Sequence, residues 1–298
     1  EDRELLAEYG VLFTEDGILY AKSTDGKAIT VIQCKDKNKK TIIIKEGVTC
    51  IMEQAFVLCE METLILPDSL EIIQRDAFYA CQSLKTVHFG NHLKEIEISA
   101  FSMCKSLKSV VLPDSLLKVE YGAFDSIQEV TCQRYIDGLV ESFADGLFED
   151  LPYTVVMNIG DFRILMPKHL KLNDAIIKDI FNKEMKEDET ISAYKKNIFR
   201  YDSFGGNCFI SAVEIFLDNP QNETAKKFIY EKEKAVIIQL LEKRYRPDIV
   251  IKLMTYCEFS DQTLQKFLET AQGKKDIPFA AYVMEQLQKQ KSSSMLKI

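Results

Sequence analysis

Apolar residues in the first half of the chain fall into a short phrase that repeats. Ala55-Phe56-Val57-Leu58-Cys59 is followed by Ala77-Phe78-Tyr79-Ala80-Cys81 and Ala100-Phe101-Ser102-Met103-Cys104, with an eroded copy beginning at Ala123-Phe124. The four alanines lie 22, 23 and 23 residues apart. Short β-prone runs keep the same period: Ile42-Ile43-Ile44, Leu64-Ile65-Leu66, Val87-His88-Phe89 and Val110-Val111-Leu112, with Val130-Thr131-Cys132 closing the series. After each full run comes a turn, Lys45-Glu46-Gly47, Pro67-Asp68-Ser69, Gly90-Asn91-His92 or Pro113-Asp114-Ser115. A second apolar pair follows: Val48/Ile51, Leu70/Ile73, Leu93/Ile96 and Leu116/Val119. Proline directly after a strand cannot donate to a ladder, so it marks where the chain leaves a sheet. A fixed period in the twenties with apolar positions locked to it predicts a solenoid, whose coils bury their apolar edges only by stacking on one another.

Two other textures flank the repeats. Residues 9–35 alternate short β-prone runs with turns at Glu15-Asp16-Gly17 and Asp25-Gly26, a strong hairpin signal and a plausible cap for an open solenoid end. Residues 153–166 read as a further hairpin turning at Gly160-Asp161. From Asn173 onward the apolar spacing becomes helical, with segments expected at 173–186, 190–200, 207–218, 223–244, 246–257, 261–272 and 277–290. Asn173, Asp261, Pro220 and Pro247 frame them, and Ser260-Asp261-Gln262-Thr263 has the form of a helix start. Short amphipathic helices with tight connections suggest antiparallel helical hairpins.

The repeat reads Leu-x-x-Leu-x-Leu-Pro-x-x-Leu-x-x-Ile-x-x-x-Ala-Phe-x-x-Cys, and over residues 36–132 it resembles the bacterial surface-antigen class of leucine-rich repeat, the BspA-like or treponemal type. Departures are Phe89-Gly90 for Leu-Pro in the third copy, Lys45-Glu46-Gly47 in the first, and Ile127 where the last cysteine would stand. The expected fold class is α+β: a leucine-rich repeat solenoid with a β-hairpin N-terminal cap, followed by an all-α, α-solenoid-like domain of helical hairpins. The expected boundaries are 1–35 for the cap, 36–150 for the solenoid, 151–172 for a β-hairpin linker and 173–298 for the helical domain. The resemblance implies a non-enzymatic protein-binding scaffold, at a bacterial surface or secreted, such as an adhesin.

In such repeats the outward positions of each strand line the concave surface. One column, Ile43, Ile65, His88, Val111 and Thr131, is largely apolar; beside it run Thr41, Thr63, Thr86, Ser109 and Glu129, and beyond that Lys40, Glu62, Lys85, Lys108 and Gln128. An apolar stripe beside hydroxyls beside charge is how a binding face is graded. Ile43, Ile65, His88, Val111, Thr131, Thr63, Thr86, Ser109, Lys85 and Lys108 are therefore the candidate partner-binding residues. Cover by the helical half, or the β-propensity of Val and Ile, are the competing accounts of the stripe.

Composition narrows the partner. Residues 1–150 hold 15 Lys and Arg against 26 Asp and Glu, a balance of −11, while residues 151–298 hold 23 against 20, or +3. An acidic half repels phosphate backbones, which argues against nucleic acid and leaves a basic protein, a cationic ligand or the helical half as better matches. No apolar run approaches the roughly 18 residues that span a bilayer. The chain opens at Glu1 without a basic and apolar leader, as a trimmed or mature form does; an export signal on the full chain would favour the surface, its lack the cytoplasm. The absence of tryptophan and the lack of aromatics in the columns weigh against the alternative of a carbohydrate-binding, surface-anchored module.

Candidate chemistry is sparse. None of the eight cysteines forms a Cys-x-x-Cys pair, and Cys59, Cys81 and Cys104 recur with the repeat as small thiols expected to fill one narrow slot. Ser203-Phe204-Gly205-Gly206-Asn207-Cys208-Phe209 places a cysteine at a helix start, where a thiol becomes more acidic, so a cysteine-dependent hydrolase at Cys208 is the enzymatic alternative. His88, His92 and His169 all precede it, whereas a papain-like order needs a downstream histidine. His88 and His92 with Glu95 and Glu97 would make a metal site only by a chance fold of the turn. Lys37-Asn38-Lys39-Lys40 and 183–189 read as solvated charge runs, and no phosphate loop or nucleophile elbow occurs. The expectation is no enzyme, no cofactor and no metal.

Overall fold

A computed structural model describes residues 10–143, 154–168 and 207–295. The chain divides into two compact units, Glu1–Tyr201 and Asp202–Ile298. In the first, the coils give strands to one continuous seven-stranded sheet and to an opposite side made of a three-stranded and a four-stranded sheet. The first sheet holds β1 (Val11–Glu15), β2 (Ile18–Lys22), β3 (Ile29–Cys34), β5 (Val48–Ile51), β7 (Ile72–Ile73), β9 (Glu95–Ile96) and β11 (Lys118–Val119), hydrogen-bonded in that order. The strands β4 (Thr41–Ile43), β6 (Thr63–Ile65), β8 (Thr86–His88), β10 (Ser109–Val111) and β12 (Glu129–Cys132) make the opposite side. The two N-terminal hairpins are antiparallel, and β3 then pairs β5 in parallel, so the cap continues the first sheet.

The second apolar pair of every repeat faces inward: Val48, Ile51, Leu70, Ile73, Leu93, Ile96, Leu116 and Val119 are all fully buried. Phenylalanines stack down the core, Phe56 on Phe78 at 4.9 Å, Phe78 on Phe101 at 4.8 Å and Phe101 on Phe124 at 5.3 Å, with their planes within 12° of parallel. The cysteines follow them. Cys81 Sγ donates to the Phe56 carbonyl at 3.0 Å and Cys104 Sγ to that of Phe78 at 3.2 Å, so each thiol ties its coil to the one before. Cys34, Cys59, Cys81 and Cys104 are free and buried, and burial pushes the Cys104 thiol well above its ordinary range. For Cys104, full burial and this shift are those of an inert packing thiol.

Each coil turns through two residues with positive φ. Gln54, Asp76, Ser99 and Gly122 hold the first position, Leu58, Ala80 and Met103 the second. Left-handed backbone at a non-glycine residue costs on the order of 1–3 kcal/mol and needs support from its surroundings. Here the next coil supplies it: Leu58 donates to the Tyr79 carbonyl at 3.0 Å and Ala80 to that of Ser102 at 2.9 Å. Side chains do the same at the first position. Gln74 Oε1 accepts from the Glu53 amide, Glu97 Oε2 from Arg75 and Glu120 Oε2 from Ile98. Two of the repeats' carboxylates, Glu97 and Glu120, are therefore engaged with the backbone turns of the first sheet.

The stack runs one turn further than the sequence pattern indicated. Phe124 donates to the Ser142 carbonyl as Phe101 does to Ala123, and Phe143, in a 3-10 turn over Glu141–Phe143, is fully buried. Its spacing of 19 residues from Phe124 falls outside the period. At this end Asp125, 1% exposed, replaces a backbone acceptor with a carboxylate: it takes the Met103 amide at 3.1 Å, the Ser102 hydroxyl at 2.8 Å and the Ser126 hydroxyl at 2.7 Å. The buried Lys168 ammonium donates to the Asp125 carbonyl at 2.9 Å.

Among the described residues the second unit holds six α-helices: α1 (Asn207–Asp218), α2 (Glu223–Glu231), α3 (Glu233–Ile237), α4 (Pro247–Met254), α5 (Asp261–Gly273) and α6 (Ile277–Met295), with a π-helical turn over Ile238–Lys243. Ser260 caps α5 through its hydroxyl and the Thr263 amide, and Asn222 caps α2 through Ala225. The expected single helix at 223–244 is interrupted at Lys232, whose φ of −114° and ψ of 19° leave the helical region. α5 and α6 form a helical hairpin closed by Phe267 against Phe279. The segments expected at 173–186 and 190–200 lie outside the described residues.

Candidate functional site

Pairing register brings the sequence-derived columns together. Ile43 lies beside Ile65 and Ile65 beside His88; Thr41, Thr63 and Thr86 form the neighbouring row. Val111 lies beside Thr131 and Ser109 beside Glu129. The intervening Ile42, Leu64, Val110 and Val130 are buried, so alternation fixes the columns outward. Ile43 and Val111 are 61% and 69% exposed, His88, Thr86, Ser109, Lys85 and Lys108 are exposed, and Ile65, Thr63 and Thr131 are half-buried.

The face is wider than the repeats alone. β13 (Thr154–Ile159) pairs in parallel with β12, and β14 (Phe162–Pro167) returns antiparallel, giving a sheet ordered β10-β12-β13-β14. Register puts Val156 beside Glu129 and Asn158 beside Thr131, with Leu165 and Arg163 in the same rows. Asn158 Nδ2 donates to Glu129 Oε1 at 2.7 Å. Sequence alone places these residues in a linker hairpin. Their strand alternation was legible, since Val155, Met157 and Ile159 are the buried set.

Charge on the face differs from charge on the half. Its columns and rows carry Lys40, Lys85, Lys108 and Arg163 against Glu62 and Glu129. Lys85 Nζ meets Glu62 Oε2 at 2.7 Å, which holds the Glu62 carboxyl below the usual range, and Lys40 meets Glu60 at 3.2 Å. The lysines of 37–40 also reach the backbone of neighbouring turns, Lys37 to Val57 O and Lys39 to Asp16 O.

The face has one discontinuity. β4-β6-β8 forms one ladder and β10 begins another, although β7, β9 and β11 remain paired in the first sheet. In the other coils a pair of amides donates to one carbonyl of the coil before: Glu62 and Thr63 to Lys40, Lys85 and Thr86 to Glu62, Gln128 and Glu129 to Lys108. Among the described residues, Lys108 and Ser109 make no such bond to Lys85. The break coincides with the Phe89-Gly90 departure from the repeat. A Cβ on Gly90 would stand 1.9 Å from the Pro67 carbonyl oxygen, so glycine lets the third coil lie close against the second. Phe89, where other coils carry Ile44, Leu66 or Leu112, turns edge-on to Phe101 of its own coil at 5.9 Å. Val87 is half-buried where its counterparts are buried. In hydrogen exchange, the Lys108 and Ser109 amides are expected to exchange on the order of a hundredfold faster than those of Lys85 and Thr86; equal protection would show the ladder to be closed.

The other candidates do not assemble. His92 Nδ1 is hydrogen-bonded to the Asp68 carbonyl at 2.9 Å, Glu95 pairs with Lys118 and Glu97 caps a turn, so none joins His88 in a ligand set. No group of metal-ligating side chains gathers among the described residues. Cys208 is the second residue of α1, but its side chain and the whole of His169 lie outside the described residues. No helix among the described residues is long and apolar enough to cross a membrane. The second unit has an open cavity of about 630 Å³ lined by Met254, Tyr256, Cys257, Phe259, Leu264 and Gln290, among others, which the sequence did not suggest.

Parallel coils with this ladder of Phe and Cys define a leucine-rich repeat solenoid. Residues 29–153 match the family described as BspA type leucine rich repeat region, in six copies, and this stretch of the chain is a repeat region of that type. Among solved structures, the chain is similar to a leucine-rich repeat protein from Bacteroides capillosus, at 24% identity and a TM-score of 0.38 over 41% of this chain and 97% of that one. It is also similar to a leucine rich cell surface protein from Faecalibacterium prausnitzii, at 24% identity and a TM-score of 0.40 over 44% and 37%. A third is a leucine rich repeat protein of T. pallidum, at 23% and 0.41 over 50% and 81%. No curated protein matches the chain.

Proposed function

We propose that the chain is a non-enzymatic recognition scaffold that binds a protein partner on the concave face of its repeats, at a bacterial surface or in secreted form. The observation that carries this reading is the apolar column, in register from Ile43 through Ile65 to His88 and again from Val111 to Thr131, and exposed most at Ile43 and Val111. Isolated exposed apolar residues are ordinary on proteins, whereas a column of them rimmed by hydroxyl and charged rows is the layout of a contact surface. Side chains carried on paired strands are already ordered, so little conformational entropy opposes association. The columns hold no Phe, Tyr or Trp on which a sugar ring could stack.

A random peptide library selected on the intact chain tests this. Ile43→Asp with Val111→Asp should abolish binding of the selected peptides while stability changes by no more than about 0.5 kcal/mol per site, as expected of exposed positions. Peptides that bind the doubly substituted chain as well as the original would remove the face from consideration.

A further inference from the structure

The discontinuity between the third and fourth coils leaves a cluster of hydrogen-bond donors without partners. Lys108 and Ser109 are consecutive, and the amides at their positions in other coils point at a single carbonyl of the coil before. Here that bond is missing, and among the described residues the Lys108 ammonium and the Ser109 hydroxyl have no partner either. The neighbouring charges are engaged: Lys85 with Glu62, Lys40 with Glu60, and Glu129 with Asn158. Consecutive amides pointing one way form an anion-binding concavity, and a lysine beside them adds a charge-assisted donor.

Resting on the reading of this face as a protein-binding surface, we propose that the break is its anchor point and takes an acidic side chain, Asp or Glu, from an extended segment of the partner. The carboxylate accepts from the Lys108 and Ser109 amides and from the Lys108 ammonium, and the next apolar side chain of the segment rests on Val111, 69% exposed. Charge complementarity selects the occupant, since basic residues outnumber acidic ones on this face although the surrounding half is strongly acidic. The Lys85 carbonyl across the gap is itself an acceptor, which makes a neutral carboxamide the competing occupant.

The same selected peptides decide the matter by affinity measurement. They should be enriched in Asp or Glu beside apolar residues, and replacing the acid by its amide should weaken binding about tenfold or more, as for loss of a charge-assisted hydrogen bond. Lys108→Gln should weaken the acidic peptide by a similar factor and leave the amide peptide nearly unchanged. Phe89→Leu, which restores the residue type of the other coils, is expected to close the ladder and remove the preference for acid. Selected peptides without carboxylates, equal binding of acid and amide, or equal losses for both in Lys108→Gln would each overturn the anchor while leaving the face intact. Binding that survives Ile43→Asp with Val111→Asp would instead overturn the face reading.

Discussion

Asp125→Ala is expected to lower the stability of the repeat unit by about 3–5 kcal/mol, the usual cost of removing one partner from a buried polar cluster. At roughly 2–4 °C per kcal/mol for a unit of this size, its melting temperature should fall by about 10 °C. The argument is one of hydrogen-bond accounting. Met103 itself has positive φ, and the carbonyl at the matching position of the next coil, that of Asp125, accepts from Lys168, so the Asp125 carboxylate takes the Met103 amide instead. Without the carboxylate, the Met103 amide loses this acceptor and the buried Ser102 hydroxyl loses it as well. Asp125→Asn should cost less, because the amide oxygen still accepts.

The two variants also separate charge from hydrogen bonding. Burial pushes the Asp125 carboxyl above its ordinary value, more strongly than its hydrogen bonds and the Lys168 charge pull it down. The native state then holds its proton more tightly than the unfolded chain does, so the contribution of this group is most favourable below the ordinary carboxylate value and is lost as pH rises through the native one. Melting temperatures of the original chain and Asp125→Asn, compared between pH 4 and 7, should differ most in favour of the original at the acid end. The opposite trend would show that the Lys168 charge outweighs burial.

The solenoid was legible because stacking repeats one physical requirement at one spacing. Phe56, Phe78 and Phe101 had to superimpose if their coils did, and they do within 5 Å. The candidate columns followed from strand alternation alone. What escaped was whatever breaks the period. Asp125 and Lys168 are 43 residues apart and belong to no repeat, although a charge in place of Val57, Tyr79 and Ser102 was a signal that the stack closes there. The Ser142-Phe143 turn is short of the spacing, and β13 joins the face through a pairing that local sequence does not encode. Net charge is a coarse guide for a related reason: the sum over 150 residues does not distinguish carboxylates engaged by turn amides from those on the strands.

Phe78→Ala tests the stack itself and is expected to cost about 3–5 kcal/mol. Phe78 is fully buried with a parallel ring on either side, at 4.9 and 4.8 Å, so its removal leaves a cavity that neither neighbour can fill without leaving its own rotamer. Backbone ladders on both sheets hold the coils apart at fixed spacing, which prevents collapse and places the loss toward the upper end of that range. Phe78→Leu keeps most of the volume and should cost no more than about 1.5 kcal/mol. In a double-mutant cycle with Phe101→Ala, urea unfolding should show a coupling of about 0.5–1.5 kcal/mol between the rings. A solenoid is stable roughly as the sum of its coils and their interfaces, so cutting the central interface should also reduce the cooperativity of the transition, seen as a lower m-value. If Phe78→Ala lost less than about 1 kcal/mol with m unchanged, the backbone ladders alone would be holding the coils together, and the face would owe its rigidity to them and not to the aromatic core.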